Sequence, residues 1–365
     1  MKVYEITIKP VSGFGTTLKG DTIFGHLCWQ IVYDSRLVGK SLDELLSNYS
    51  VKPFAVFSSM YPKFVEGTDS YYAFKTPNLP MDELFNLPED KKEKIGKRKQ
   101  FKAKEWMLMK EGQRFTSFKN LKFIDDKELL EIANANITEE MRKQMRRSGS
   151  KKFAVLFSQS HNKINRFTNT TGEEGFAPYA VEQQVFYPET ELALFVGFDE
   201  TLMNIEQITT GLERIGISGF GKDASTGLGR FELGEIGEID LFRLGCAAPN
   251  ACYTLAPCVP DKDTFSEIFF SPFTRYGRHG DVLAKSANPF KNPVIMADEG
   301  GIFKPKSQEV FNKPYIGQAA INISKAEPKT VMQGYSLYLP IRWRSSDGKT
   351  IKSEASYNFP NSYRV

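Results

Sequence analysis

The sequence IGISGFGKDASTGLGRFEL, residues 215–233, decides how the rest of the chain is interpreted. It joins an apolar helical pattern at 204–215 to a strand pattern at 228–233. A helix-to-strand turn needs about one or two glycines, whereas this loop carries four after the helix. We therefore expect the loop to bring backbone N–H groups close to a polyanion, with Lys222 and Arg230 adding positive charge.

The same loop imitates two nucleotide-binding motifs and departs from both. Residues 216–222 fit the G-x4-G-K part of a P-loop, but Asp223 occupies the position where Ser or Thr binds magnesium. Residues 219–224 fit a dinucleotide-binding G-x-G-x-x-A pattern, but Gly227 and Gly229 would break the helix that such a site requires. We therefore rank a nucleotide-dependent enzyme last and expect no cofactor.

The elements around this loop predict an α+β chain. Apolar residues alternate over 1–9 and recur at helical spacing over 23–32. Residues 54–62 indicate a short strand and a turn, and a run of apolar strand patterns follows within 153–198. Without the central stretch, the order is strand, helix, strand, strand, helix, strand, which predicts a ferredoxin-like, RRM-like domain over residues 1–235. Short apolar segments between Gly and Pro turns predict a second, mainly β domain over 236–365.

A basic insertion is predicted at about residues 89–150. Residues 91–119 carry eleven Lys or Arg against three acidic residues, and 142–152 carry six basic residues and no acidic one. Its helical patterns are too polar for a core helix, so we expect a projecting arm that docks on RNA or on acidic patches of partners. An apolar cluster would anchor the arm, unless it folds back onto the chain's own core. The cluster comprises Phe101, Trp106, Met107, Leu108 and Met109.

Several segments together resemble a known family. The Gly-rich loop resembles the signature of the RAMP superfamily of CRISPR proteins. The segments TTLKGDTIFGHLCWQ (16–30), HNKINRFTNTTGEEG (161–175), RYGRHG (275–280) and NPVIMADEGGIF (292–303) resemble the member family that binds the guide-RNA tag in type III-A Csm effector complexes. The resemblance leaves the insertion largely uncovered.

This resemblance implies a non-catalytic CRISPR RNA (crRNA) binding subunit that acts in antiviral defence. It would anchor the repeat-derived 5′ tag of the crRNA and contact two proteins, the large polymerase-domain (Cas ten-type) subunit and the first backbone RAMP subunit. The alternative within the superfamily is a metal-independent endonuclease that processes guide RNA.

Three histidines bear on that alternative. His26 is the best candidate for general acid–base catalysis, but on a short amphipathic helix a histidine more often packs or contacts RNA. His161 and His279 have polar or basic neighbours and suit RNA contacts. No H-E-x-x-H motif or carboxylate triad supports a metal nuclease, so we expect neither catalytic residues nor a metal site.

Aromatic residues in the basic loops favour single-stranded RNA, because splayed bases need flat partners. These aromatics are Phe14, Phe167, Phe220 and Tyr276, of which Phe14 and Phe167 are the better candidates for stacking. The full set of predicted RNA contacts is Phe14, Lys19, Thr22, His26, Arg142, Arg146, Arg147, His161, Asn162, Lys163, Arg166, Gly219, Gly221, Lys222, Ser225, Thr226, Gly227, Gly229, Arg230, Arg275 and Arg278.

Composition predicts a cytoplasmic protein without a membrane anchor. The chain has 365 residues, 41% of them hydrophobic, and a formal net charge of +4, and no apolar run approaches the roughly 18 residues that span a bilayer. The four cysteines form no C-x-x-C pair, so we expect reduced thiols rather than a zinc site.

Overall fold

The computed structural model describes residues 1–148, 152–172, 175–261 and 263–343. The strands are β1 (Lys2–Pro10), β2 (Ala55–Glu66), β3 (Asp69–Lys75), β4 (Trp106–Lys110), β5 (Lys122–Ile124), β6 (Ala154–His161), β7 (Tyr179–Phe186), β8 (Glu191–Phe198), β9 (Phe231–Glu238), β10 (Ala251–Thr254), β11 (Phe265–Phe269), β12 (Pro272–Arg275), β13 (Val294–Ala297), β14 (Ile302–Pro305), β15 (Tyr315–Gly317) and β16 (Tyr335–Ile341). The α-helices are α1 (Gly20–Tyr33), α2 (Leu42–Leu46), α3 (Met81–Leu84), α4 (Lys91–Lys102), α5 (Asp126–Asn136), α6 (Glu139–Ser148), α7 (Ile205–Ser218) and α8 (Leu241–Leu244).

A seven-stranded antiparallel sheet, in the order β5-β4-β3-β2-β8-β1-β9, is the largest element of the fold. Four of its strands follow the chain order β1, α1, β2, β8, α7, β9, with β1 between β8 and β9. This is the ferredoxin-like arrangement, and the predicted α+β fold is confirmed. Seven of the eight residues of β8 are buried, which explains its almost continuous apolar sequence.

The predicted insertion at 89–150 adds two strands to the edge of this sheet. β4 pairs with β3, and Met107 and Met109 are only 1% and 2% exposed. Because successive strand residues point to opposite faces, Trp106 and Leu108 pack on the other face, in the cluster around α5. These four residues belong to the chain's own core, so their predicted role as docking anchors is wrong.

Helix α4 is the exposed helix in the basic part of the insertion. None of its twelve residues, all of which the structure describes, is buried. The ring of Phe101 stacks on Phe85, with centroids 4.4 Å apart, so the fifth expected anchor is also used within the chain. The stack holds the helix against the body of the protein.

The second half consists mainly of short strands, as predicted. Five of them form a sheet in the order β11-β14-β10-β16-β15. In the described part of 236–343, the only α-helix is the four-residue α8. Tyr253 and Leu337 share one buried cluster with Ile6 of β1, so the two sheets pack around a continuous core. The boundary predicted at residue 235 falls inside β9, which ends at Glu238.

Strands β6 and β7 form a separate two-stranded hairpin. The hairpin carries exposed apolar side chains, including Leu156 at 77% and Phe157 at 50% exposure. Its base is tied to the body, since the backbones of Phe14 and Gln184 exchange hydrogen bonds of 2.9 and 2.8 Å.

Candidate nucleic-acid interface

The Gly-rich loop between α7 and β9 is folded tightly against itself. Gly219 and Gly229 have φ values of 99° and 74°, a region that side chains rarely adopt. A Cβ at Gly229 would lie 2.1 Å from the carbonyl oxygen of Phe220, so this glycine serves the close packing of the loop. Within the described part of the chain, nothing lies within 4 Å of a Cβ placed on Gly227. Gly227 therefore leaves room for a partner, whereas Gly219 and Gly229 do not serve that purpose.

Most backbone N–H groups of this loop already donate inside the protein. Those of residues 219–222 and 226–230 all have acceptors, either backbone carbonyls or the side chains of Ser12, Thr16 and His26. The prediction that these N–H groups face a polyanion is therefore wrong, because folding of the loop uses the donors. At these nine positions, anion binding falls to side chains; the N–H groups of residues 223–225 are not among these donors.

The loop at 11–16 locks the Gly-rich loop in place. Thr16 Oγ1 accepts a hydrogen bond from the Lys222 N–H at 2.9 Å, and Ser12 Oγ accepts one from the Arg230 N–H at 2.9 Å. The Gly229 N–H donates to the Gly13 carbonyl at 2.8 Å. These contacts join the two loops into one layer, called the loop layer below (residues 11–16 and 219–230).

His26 supports the loop layer from α1. Its Nε2 accepts the Gly221 N–H at 3.0 Å, and its ring lies 4.8 Å from that of Phe220. Burial lowers the pKa of His26 to about 4, because desolvation disfavours the charged form. The imidazole is therefore neutral at pH 7 and uses Nε2 to position the loop.

Three polar side chains of the loop layer face solvent. Lys222, Ser225 and Thr226 are exposed, while Arg230 is half-buried. Lys222 Nζ lies 3.7 Å from the Asp223 carboxylate, and such a surface pair adds little stability. Thr226 Oγ1 donates to the Asp223 carbonyl at 2.8 Å, so its oxygen can still accept a hydrogen bond.

Phe14 and three of the predicted cationic contacts are buried or paired inside the protein. Phe14 is 1% exposed and its ring packs near Phe186 and Phe220, so it cannot stack on a base as predicted. Lys19 Nζ lies 2.5 Å from Asp298 and 2.6 Å from Glu299. The two other residues are Arg275, which pairs with the buried Asp21 carboxylate, and Arg142, which donates to carbonyls at the end of α5. The predicted RNA contacts by Lys19, Arg275 and Arg142 are wrong, because the charged group of each side chain is bound to acceptors within the chain.

The remaining predicted residues outside the loop layer differ in exposure. Arg146 and Arg278 are exposed, and Thr22 is half-buried. His279 is buried and its Nε2 lies 2.7 Å from Ser324 Oγ, so it is a structural histidine rather than an RNA contact. The side chain of Arg147 lies outside the described residues.

The tip of the β6–β7 hairpin gathers exposed aromatic and basic groups. The rings of His161 and Tyr179 stack with centroids 5.5 Å apart, and Lys163 Nζ lies 5.5 Å from the Tyr179 centroid. Phe167 is 99% exposed, and Asn162 and Arg166 are exposed nearby in sequence. Sequence reasoning missed Tyr179, although its opposition to His161 across the hairpin follows once the two strands are paired.

The loop layer contacts the base of the hairpin, because the backbone of Phe14 in the layer exchanges hydrogen bonds with that of Gln184 in β7. Among the described residues, no group of three or more His, Cys, Asp or Glu is arranged to hold a metal ion. Burial raises the pKa of the Cys28 thiol to about 12. No helix in the described part of the chain is long and apolar enough to cross a bilayer.

Comparison with known proteins shows similarity at the level of the fold. No family model and no curated protein matches the chain. A Csm1-Csm4 cassette in complex with cA4 matches at 14% identity and a TM-score of 0.51, covering 94% of this chain and 100% of the other. A Csm3-Csm4 subcomplex of the type III-A CRISPR-Cas interference complex matches at 15% identity and a TM-score of 0.50, covering 93% and 99%. Csm4 is the component common to both, and the fold implied by the resemblance is thereby confirmed.

Proposed function

We propose that this chain is the subunit of a type III CRISPR effector complex that holds the 5′ repeat-derived tag of the crRNA. The observation that supports this best is the loop layer. It presents Lys222, Ser225 and Thr226 to solvent on a backbone already fixed by internal hydrogen bonds. A fixed loop loses little entropy on binding.

The chemistry of the surface suits single-stranded RNA. Lys222 and the hydroxyl of Ser225 serve the phosphates, and the free lone pair of Thr226 Oγ1 accepts from a ribose 2′-OH or a base amino group. Phe167 and Tyr179 of the hairpin offer flat surfaces for unstacked bases. The basic loop and the aromatic hairpin together follow the pattern of a backbone groove with stacking platforms.

The subunit is proposed to be non-catalytic. His26 uses Nε2 to accept the Gly221 N–H, so this nitrogen is not free to take a proton from a ribose hydroxyl. His279 is buried beside Ser324, and His161 stacks on Tyr179 at the hairpin. The chemistry of the complex is assigned to other subunits.

Two protein partners are proposed from the fold. The similar solved structures are a Csm1-Csm4 cassette and a Csm3-Csm4 subcomplex. By that likeness, this chain contacts a large polymerase-domain subunit and a backbone RAMP subunit.

The Lys222→Ala, Arg230→Ala double variant tests the RNA site. We expect weaker binding of single-stranded tag RNA and a shallower dependence of log affinity on log salt, by about 0.7 for each lost phosphate contact. An unchanged salt dependence removes the loop layer from the RNA site. In the same preparation, repeat RNA incubated without metal stays intact, and cleavage would favour the endonuclease alternative.

A further inference from the structure

Helix α4 concentrates positive charge to an unusual degree. Seven of its twelve residues are Lys or Arg, one is acidic, and none of the twelve, all within the described chain, is buried. Like charges three or four residues apart on a helix destabilise it. An anionic partner lying along α4 would relieve this repulsion.

The charges share one side of the helix. At 3.6 residues per turn, Lys91, Arg98 and Lys102 form a central stripe, and the flanking cations complete an arc of about 160°. The flanking cations are Lys92, Lys94 and Lys99. Lys97 lies outside this arc and pairs with Glu93 at 2.7 Å.

The helix is held at one end of the main sheet. Phe101 stacks on Phe85, whose ring lies 5.0 Å from that of Phe123 in the edge strand β5. The Gly-rich loop enters β9, which is the opposite edge strand. Six strand spacings of about 4.8 Å separate the two edges by about 29 Å. The basic arc is therefore a surface distinct from the loop layer.

The side chains of the arc favour a nucleic acid over a protein or a membrane surface as the partner. Its one apolar residue is Ile95, which is 71% exposed, whereas the aromatic Phe101 is used internally. Protein hot spots rely on aromatic anchors, and membrane-surface helices need a broad apolar face. The arc has neither an aromatic anchor nor a broad apolar face, so it would recognise its partner by charge. A helix of about 18 Å faces about ten phosphates of a duplex of the same length, enough for all six cations.

We infer that the basic arc of α4 is a second RNA-binding surface, which contacts phosphates without reading bases and does not depend on the proposed tag site. A strand that leaves the loop layer, or a duplex beside it, would be held at this edge of the sheet.

The test uses the full chain with Lys91, Arg98 and Lys102 replaced by Gln, and poly(U) as a probe without base-specific structure. We expect weaker binding and a salt dependence shallower by about two units, since each single-strand phosphate contact contributes about 0.7. The matched control replaces the exposed Lys285, Lys306 and Lys325 of the second half by Gln. We expect the control to bind poly(U) as the wild type does, and both triple variants to keep the wild-type melting temperature.

An unchanged salt dependence in the α4 variant contradicts the inference, as does an equal loss in the control. Unchanged poly(U) binding combined with lost incorporation into the effector complex also contradicts it, because the arc would then bind an acidic protein. The proposed tag site is tested separately, since Lys222 and Arg230 are intact in this variant.

Discussion

His26 connects the first helix to the Gly-rich loop. Its neutral Nε2 accepts the Gly221 N–H, so a proton on that nitrogen would break the bond and place a charge beside Phe220. The folded-state pKa is about 4, below the ordinary 6.5, because the ring is desolvated. His26 is thus a positioning residue whose protonation opposes the folded loop.

Replacing His26 by Gln should reduce the acid sensitivity of the fold. Between pH 6.5 and pH 4 the unfolded state binds more protons at this site than the folded state. The stability contributed by neutral His26 is therefore present above about pH 6.5 and is lost as the pH falls. From pH 7 to pH 5 the wild type should lose roughly 1 to 2 kcal/mol more than His26→Gln in urea unfolding. Equal losses would show that His26 titrates normally.

Phe167 and Phe14 form a matched pair for testing base stacking. Phe167 is 99% exposed, so Phe167→Ala should leave the melting temperature unchanged and weaken RNA binding by about 1–3 kcal/mol, the value of one stacked base. Phe14 is 1% exposed, so Phe14→Ala should cost about 3–5 kcal/mol of unfolding free energy. If Phe167→Ala binds RNA as well as the wild type does, the hairpin tip is not a stacking site.

The contrast between these two phenylalanines could not be predicted from local sequence. Both lie in loops rich in small and polar residues, which is why both were expected to stack. Phe14 is buried because residues 219–230 and β7 close over its loop, and these contacts join parts of the chain far apart in sequence. Phe167 extends from a hairpin tip that no such segment covers in the described structure.

At the scale of elements, β4 was predicted to belong to an exposed docking arm because charged residues surround it in the sequence. The run WMLMK lies within the basic stretch 91–119, and the surrounding polarity indicated an exposed arm. A short apolar run equally fits a strand covered on both faces. The main core covers Met107 and Met109, and the cluster around α5 covers Trp106 and Leu108. The polarity of α4 itself was predictable, because a helix with so few apolar residues has no face to bury.

Met109→Ala tests the place of β4 in the core. Met109 is 2% exposed, so the loss of its side chain should lower the free energy of unfolding by about 2–5 kcal/mol. Ile95→Ala, at an exposed position of the same insertion, should change it by less than about 0.5 kcal/mol. Unchanged stability in Met109→Ala would mean that β4 is not part of the sheet in solution.

The position of the Gly-rich loop between a helix and a strand was predicted correctly, but the role of its glycines was not. Four glycines suggested exposed N–H groups, whereas Gly229 and Gly219 serve close packing within the loop. Glycine content alone does not distinguish room for a ligand from room for the protein's own backbone. The order of strands and helices was easier to predict, since periodicity reports it directly.

At the scale of the whole molecule, buried charge joins the two halves. Lys19, just before α1, contacts Asp298 and Glu299, which follow it in the sequence by 279 and 280 residues. Removing one partner of such a buried cluster leaves an uncompensated charge. The same contacts explain why Lys19, which looked like an RNA-binding cation in sequence, is not available to a phosphate. Sequence spacing contains no information about a pairing at this distance.

On the proposed function, the chain holds the tag end of a guide RNA on its loop layer. The most direct test is to purify the tagged chain from its host after ultraviolet cross-linking, then to sequence the bound RNA and map the cross-linked peptides. We expect small RNAs that share one repeat-derived 5′ end, cross-linked to peptides from residues 219–230 and 161–179. RNA of heterogeneous 5′ ends, or cross-links that avoid both segments, would contradict it.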